Sequence, residues 1–81
     1  MTADEMFREL GYEKRWKNVP TAYADNHSVN EKGGKYTIIE LFDGHMFKWG
    51  YGKRGGMYDF RFTPDEILAC AQLIKEMEEK E

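Results

Sequence analysis

The sequence predicts an α+β fold in which an antiparallel β-meander of three to four strands is flanked by a short N-terminal helix and a longer C-terminal helix on one face. Two observations support this prediction. Residues 36–62 hold eight of the twelve aromatic residues and contain two turn sequences. A helix-capping sequence stands near each end of the chain, at residues 2–5 and 63–66. We expect a single α-β(3–4)-α domain over residues 1–81.

The N-terminal helix is predicted over residues 3–10. Thr2 and Glu5 form a capping box, in which each side chain accepts a hydrogen bond from the backbone N–H of the other residue. Three apolar side chains then share one helical face: Met6, Phe7 and Leu10. Gly11 follows at a position where glycine often ends a helix. A helix this short is marginal alone in water, so we expect it to dock on the sheet.

A fourth, outer strand is predicted over residues 21–28. The alternation that predicts it involves three residues: Val19, Thr21 and Tyr23. Pro20 favours an edge position or a strand start, because proline cannot donate a hydrogen bond to a neighbouring strand. Tyr12 and Trp16, which precede this strand, are expected to pack against the core.

The central hairpin is predicted from Asp43-Gly44, which stands between two apolar runs and is a strong signal for a two-residue hairpin loop. That loop sets four cross-strand pairs: Phe42 with His45, Glu40 with Phe47, Ile38 with Trp49, and Tyr36 with Tyr51. A second loop, at residues 53–56, pairs the next strand in the same register: Tyr51 with Tyr58, Trp49 with Phe60, and Phe47 with Phe62. A slip of one residue would place Asp59 and Arg61 opposite the aromatic side chains.

This register collects the aromatic side chains on one face, which we expect the two helices to cover. With Glu40 as the exception, this aromatic face carries Tyr36, Ile38, Phe42, Phe47, Trp49, Tyr51, Tyr58, Phe60 and Phe62. The opposite face includes an apolar patch of Ile39, Leu41 and Met46. A sheet covered on one side leaves such a patch exposed, so these three residues are a candidate protein interface.

The C-terminal helix is predicted over residues 64–79. Thr63 and Glu66 form a second capping box, and Pro64 stands at the first helical position, where its missing N–H costs nothing. Apolar residues at helical spacing predict the buried face. They are Ile67, Leu68, Ala71, Ile74 and Met77, with Cys70 and Leu73 broadening the stripe.

The sequence contains no catalytic or metal motif, so we expect neither an enzyme nor a cofactor. His45 and Asp43 flank a tight turn, and Asp-Gly is what that turn requires. His27 has no partner at metal-ligand spacing. Cys70, the single cysteine, is expected in the core, and its isolation is typical of a reducing cytoplasm. No apolar run approaches the roughly 20 residues that span a membrane.

The glycine-rich loop at residues 50–56 is the best candidate for a binding site. Glycines let backbone N–H groups approach an anion, arginine binds phosphate in a bidentate manner, and aromatic rings stack on bases. The candidate partner- or phosphate-binding residues are Lys53, Arg54, Gly52, Gly55, Tyr51, Lys48 and Arg61. Such a loop also occurs without a ligand. Glu40, a carboxylate among aromatic side chains, either lies at the margin of the sheet or contacts a ligand.

Both ends of the chain resemble a group of small proteins encoded by phages and prophages of Gram-positive bacteria. Those proteins begin with a segment similar to MTADEMFRELGYEK. They end with a helix that starts at a sequence similar to FTPDE. Most of the group has no assigned function, so the resemblance implies no site residues. It implies a phage accessory protein in a bacterial cytoplasm, where small phage proteins often block a host defence, as anti-CRISPR proteins and sequesterers of nucleotide signals do.

Three functions follow as expectations. The first is a non-enzymatic, anti-CRISPR-like inhibitor of a host defence system, which binds a host bacterial protein or a protein–nucleic-acid complex. The second is a nucleotide- or nucleic-acid-binding module that uses the KRGG hairpin, because residues 14–61 carry a net charge of +4 while residues 1–13 carry −3 and residues 62–81 carry −4. The third is a homodimeric structural or assembly protein that pairs through the exposed sheet face or the outer strand.

Overall fold

The computed structural model describes residues 1–16, 18–25, 36–51 and 61–80. The helices and strands follow in this order: α1 (Ala3–Glu9), β1 (Tyr12–Trp16), β2 (Val19–Asp25), β3 (Tyr36–Phe42), β4 (His45–Tyr51) and α2 (Pro64–Glu79). The strands form one antiparallel sheet in the order β1-β2-β3-β4. The expected α+β class, with a short N-terminal helix and a longer C-terminal helix, is therefore confirmed.

Both helices begin with the capping boxes that the sequence predicts. The Thr2 side chain accepts a hydrogen bond from the N–H of Glu5, and the Thr63 side chain accepts one from the N–H of Glu66. Each glutamate in turn accepts a hydrogen bond from the backbone N–H of its capping threonine. The bounds of α2 agree with the prediction, whereas α1 ends one residue earlier than predicted.

The central hairpin has the predicted register. β3 and β4 pair Phe42 with His45, Glu40 with Phe47, Ile38 with Trp49, and Tyr36 with Tyr51. The φ angle is 51° at Asp43 and 73° at Gly44. Positive φ at both central residues is what the type I′ hairpin turn requires, and Asp-Gly tolerates it better than most pairs of residues do.

The predicted strand at residues 21–28 is confirmed over residues 21–25, whereas residues 26–28 lie outside the described residues. Its predicted outer position is wrong. β2 covers Val19–Asp25 and lies inside the sheet, paired with β1 on one side and β3 on the other. The outer strand is β1, which was not predicted because its sequence, YEKRW, has three charged residues and four exposed ones. Charged side chains are typical of edge strands, where they oppose pairing with other chains. Pro20 is tolerated because the register between β1 and β2 is irregular near it.

The predicted third strand of the meander and its loop fall mainly on residues 52–60, which lie outside the described residues. Phe62 is described, and its predicted pairing with Phe47 is wrong, because residues 61–63 form no strand and Phe62 packs against the core. Phe62 precedes the N-cap of α2, and Ile67 is the fourth residue of the helix. These are the two positions of a hydrophobic staple, which sets how the chain enters α2.

The helices cover the face of the sheet opposite to the predicted one. The buried core joins residues from α1, β1, β2, β3 and α2: Ala3, Phe7, Tyr12, Tyr23, Ile39, Ala69, Cys70 and Leu73. Leu41 and Met46 pack against this cluster. On the aromatic face, Phe42 and Phe47 retain 66% and 47% exposure. The prediction that the helices cover the aromatic face is therefore wrong.

Polar pairing gives a physical reason for this choice of face. Three polar side chains of the covered face donate to carboxylates on the helices: Tyr12 and Lys48 to Glu66, and Tyr23 to Asp4. On the aromatic face, Glu40 accepts a hydrogen bond from Trp49 of the adjacent strand. Alternation separates the two faces of a sheet but does not indicate which of two apolar faces the helices cover.

The buried face of α2 agrees with the predicted one at Cys70 and Leu73 but differs from it at other positions. Its buried side chains are Glu66, Ala69, Cys70 and Leu73. Ile67 and Leu68, expected in the core, remain 54% and 58% exposed. A shift of one residue is a rotation of roughly 100° about the helix axis. The rotation follows from Glu66, whose carboxylate binds Tyr12 and Lys48 inside the core.

We expect Ile39→Ala to lower the free energy of unfolding by about 2 to 5 kcal/mol, because it leaves a cavity beneath the helices. The same substitution at an exposed site, Ile67→Ala, is expected to change it by less than about 1 kcal/mol. Urea denaturation of both variants and of the wild type measures the difference. Equal losses in the two variants would contradict the core face described above.

Candidate functional site

Glu66, in the first turn of α2, joins three parts of the fold. Its Oε1 accepts hydrogen bonds of 2.8 Å from the Thr63 backbone N–H and from the Lys48 ammonium, and its Oε2 accepts one of 2.8 Å from the Tyr12 hydroxyl. Lys48 Nζ also donates to the Arg61 carbonyl at 2.8 Å. The Lys48 and Glu66 side chains are 9% and 8% exposed, so they form a buried ion pair supported by additional hydrogen bonds.

This environment shifts the pKa of both acids in the network. Burial acts to raise the pKa of Glu66, but the hydrogen bonds from Lys48, Thr63 and Tyr12 together outweigh it and hold that pKa below its ordinary value. Burial, and then the hydrogen bond to Glu66, raises the pKa of the Tyr12 hydroxyl well above its ordinary value. At neutral pH Glu66 is therefore ionised and Tyr12 is neutral. The network connects α2 to β1 through Tyr12 and to β4 through Lys48.

A second polar cluster anchors α1. The Tyr23 hydroxyl donates to Asp4, and the other carboxylate oxygen of Asp4 lies 3.3 Å from Lys14 Nζ. Glu76 of α2 accepts a hydrogen bond of 2.7 Å from the Ala3 backbone N–H. This cluster borders a polar cavity of about 410 Å³, lined by Asp4, Arg8, Tyr12, Glu13, Lys14 and Tyr23. Both tyrosine hydroxyls in the cavity already donate to carboxylates of the fold.

The predicted phosphate-binding residues are only partly described. Four of them lie outside the described residues: Gly52, Lys53, Arg54 and Gly55. The backbone of Tyr51 ends β4, opposite Tyr36. The prediction that Lys48 contacts a partner or phosphate is wrong, because its ammonium is buried against Glu66 and so belongs to the core. Arg61 is exposed, and its carbonyl accepts the second hydrogen bond from Lys48.

The prediction that Ile39, Leu41 and Met46 form an exposed interface on the sheet is wrong, although Met46 lines an apolar depression at the edge of α2. Ile39 has 0% exposure, and Leu41 and Met46 pack against the core on the face that the helices cover. The homodimer was expected through this face or through an outer strand at residues 21–28. The helices cover that face, and residues 21–25 belong to β2, which lies inside the sheet. Homodimerisation itself stays a prediction.

Of three other residues that the sequence analysis singled out, two have hydrogen-bond partners within the fold and the third is buried. Glu40 Oε1 accepts a hydrogen bond of 2.8 Å from Trp49 Nε1. His45 Nδ1 lies 2.7 Å from the Asp43 carbonyl oxygen in the exposed turn. Cys70 is buried, and burial raises the pKa of its thiol to about 11. Such a thiol is protonated at neutral pH and is a poor nucleophile.

On its outer side, α2 exposes an apolar surface, here called the ridge, which consists of Ile67, Leu68, Ala71 and Ile74. Ile67 borders a depression of about 260 Å³ whose lining is entirely apolar: Met46, Phe62, Ile67, Cys70, Ala71 and Ile74. Leu68 borders a second depression of about 330 Å³, lined by Met1, Met6, Glu9, Leu10, Asp65 and Leu68. The ridge therefore stands between an apolar depression and one that carries two carboxylates.

One sequence signal does indicate the ridge. The apolar residues of α2 occupy most of the helix circumference: Ile67, Leu68, Ala69, Cys70, Ala71, Leu73, Ile74 and Met77. A helix that docks on one side of a sheet buries only one stripe of its surface, so some of these residues must stay exposed. Which of them are exposed depends on the orientation of Glu66, and that is a property of the tertiary structure.

Comparison with protein-family models, with curated proteins and with solved structures found no match to this chain. Within the described residues, no group of three or more His, Cys, Asp or Glu side chains is placed to hold a metal ion. Neither described helix is long and apolar enough to span a membrane. The ridge, with its two depressions, is the candidate functional site because it is an apolar surface that the described fold leaves exposed.

We expect Glu66→Gln to lower the free energy of unfolding at pH 7 by about 3 kcal/mol, because it leaves the Lys48 ammonium buried without a counter-ion. The pKa of Glu66 is lowered in the folded state, so its contribution is present above the unfolded pKa of about 4.3 and is lost as the pH falls through the folded pKa. The difference in free energy of unfolding between wild type and Glu66→Gln is therefore expected to decrease as the pH falls below about 4.3.

Urea denaturation at several pH values between neutral and acidic measures this difference in free energy of unfolding. Asp65→Asn, which removes the exposed neighbouring carboxylate with the same change in charge, is the control. Curves of stability against pH that stay parallel for wild type and Glu66→Gln would contradict the role of the Glu66 carboxylate.

Proposed function

We propose that this protein is a non-enzymatic binding protein and that the ridge is its binding surface. The observation that carries the proposal is the exposure of Ile67 and Leu68, at 54% and 58%, beside an apolar depression. Exposed apolar patches bordered by polar residues mark interaction sites more often than isolated exposed residues do. Among the buried acids, Glu66 and Tyr12 are paired with each other, which supports a structural role for them.

The proposed partner is a host bacterial protein or protein–nucleic-acid complex of a defence system, so that the protein acts as an anti-CRISPR-like inhibitor. Support comes from the resemblance of both ends of the chain to small phage and prophage proteins. Those two ends form α1 and α2, the helices that carry the ridge and its second depression. A phage accessory protein of this kind acts in the cytoplasm of the bacterial host.

We expect the protein to restore plaque formation by a phage on a strain whose CRISPR system targets that phage. Ile67→Lys/Leu68→Lys is expected to abolish this effect, because two ammonium groups cannot be buried against an apolar partner surface. Phe42→Lys, an exposed apolar-to-lysine change on the aromatic face, is the matched control and is expected to keep the effect. Circular dichroism confirms that the variants are folded.

Efficiency of plaquing, compared among wild type and the two variants, gives the result. Full activity of Ile67→Lys/Leu68→Lys would show that the ridge is not the binding surface. No restoration by the wild type, across strains that each carry one CRISPR type, would contradict the inhibitor role.

A nucleotide- or nucleic-acid-binding module is the second candidate, and one observation favours it. The aromatic face is not covered by the helices, and Phe42 and Phe47 remain exposed near the end of the β3–β4 hairpin. Exposed aromatic rings on a sheet can stack on bases. In this function, Lys53 and Arg54 of the glycine-rich loop supply the positive charge for phosphate.

If this second function is correct, Phe42→Ala/Phe47→Ala should weaken binding of a fluorescent single-stranded oligonucleotide by about 1 to 3 kcal/mol per stacked base. Lys53→Glu/Arg54→Glu should weaken it further and reduce its salt dependence, because fewer counterions are released. Fluorescence anisotropy at several salt concentrations measures both effects, with Val19→Ala as an exposed control. Unchanged binding in both double variants would exclude this function.

A further inference from the structure

The depression beside Ile67 has the size and chemistry of a pocket that binds one apolar side chain. Its volume of about 260 Å³ is below the roughly 300 to 1,000 Å³ that is usual for small-molecule sites. Its lining has no polar side chain to orient a small ligand, whereas small-molecule sites usually include a few placed polar groups. A small apolar pocket at an exposed surface is instead typical of the place where a partner protein inserts an anchor residue.

The depression beside Leu68 has a different chemistry. Its apolar part consists of Met1, Met6, Leu10 and Leu68, and Glu9 and Asp65 place two carboxylates at it. Within the described residues, neither carboxylate has an ion pair. Lysine and arginine match such a surface, because their aliphatic stems pack on apolar side chains while the charged head stays at the rim.

From these two depressions we infer that the ridge binds a basic amphipathic segment of a partner protein. One apolar anchor of that segment occupies the depression at Ile67, and a lysine or arginine occupies the depression at Leu68, with its charge toward Glu9 and Asp65. This inference rests on the proposed function, since it specifies the partner of the same surface. Ala71, a small residue between Ile67 and Ile74, leaves the room that the anchor needs.

Charge favours this partner over a second copy of the chain. α2 has carboxylates near both ends, Asp65 at the start and Glu78 and Glu79 at the end. Two copies of the ridge packed together would bring carboxylates near carboxylates whether the helices run parallel or antiparallel, and Lys75 and Lys80 only partly offset this. A basic segment instead places its positive charge opposite Glu9 and Asp65.

The test uses the whole protein and two synthetic helical peptides of about 15 residues, a length at which an amphipathic helix begins to be stable. One peptide has leucine on one face and lysine on the other, and the second has glutamate in place of lysine. We expect the leucine–lysine peptide to bind and to shift the methyl NMR signals of Ile67 and Ile74. The leucine–glutamate peptide is expected to bind at least tenfold more weakly.

Two matched variants separate local charge recognition from general attraction. Glu9→Gln/Asp65→Asn is expected to weaken binding of the leucine–lysine peptide about tenfold, through two rim contacts. Glu78→Gln/Glu79→Gln removes the same charge at the other end of α2 and is expected to change binding by no more than about twofold. Ala71→Leu, which fills the apolar depression, is expected to weaken binding about tenfold.

Several results would overturn the inference. Equal binding of both peptides would show that the partner is not selected by its positive charge, although the apolar surface of the proposed function would stand. Equal weakening by both charge variants would show non-specific attraction only. A dimer of the wild type that Ile67→Lys/Leu68→Lys dissociates, observed by light scattering, would assign the ridge to a second copy. Failure of the leucine–lysine peptide to bind would refute the basic partner, whereas the plaque assay tests the inhibitor role independently.

Discussion

The described structure depends on one buried carboxylate, that of Glu66. It completes the cap of α2 and accepts hydrogen bonds from Tyr12 of β1 and Lys48 of β4. These are the two outer strands of the described sheet, so a single side chain connects the helix to both sides of it. Because a buried carboxylate without partners is very costly, α2 is stable only in the orientation that brings these donors to Glu66.

That orientation decides what α2 presents to a partner. When Glu66 faces the core, Ala69, Cys70 and Leu73 lie on the same side and complete the packing. The neighbouring residues of the ridge then point outward, although they are as apolar as the buried ones. The candidate binding surface is thus a consequence of the polar network. α2 has apolar residues around most of its circumference, and those on the side opposite to the buried carboxylate are exposed.

The two candidate functions use opposite sides of the molecule. The ridge lies on the helical side, and the exposed Phe42 and Phe47 lie on the other face of the sheet. The described acidic groups near the ridge, Glu9 and Asp65, suit a basic protein segment and oppose a phosphate backbone. The positive charge that a nucleic acid requires belongs instead to the central segment of the sequence, between the two acidic ends. Choosing between these functions therefore means finding which side a partner covers.

The sequence by itself determined the local structure: both capping boxes, the bounds of α2, and the register of the central hairpin through Asp43-Gly44. These features depend on residues close together in the chain, where cap and turn chemistry acts directly. Only the tertiary structure decided that β1 pairs at the edge, which face of the sheet the helices cover, and which residues of α2 are exposed. Each of these depends on contacts between distant residues, above all those of Glu66 with Tyr12 and Lys48, and local apolar periodicity cannot distinguish between two faces that are both apolar.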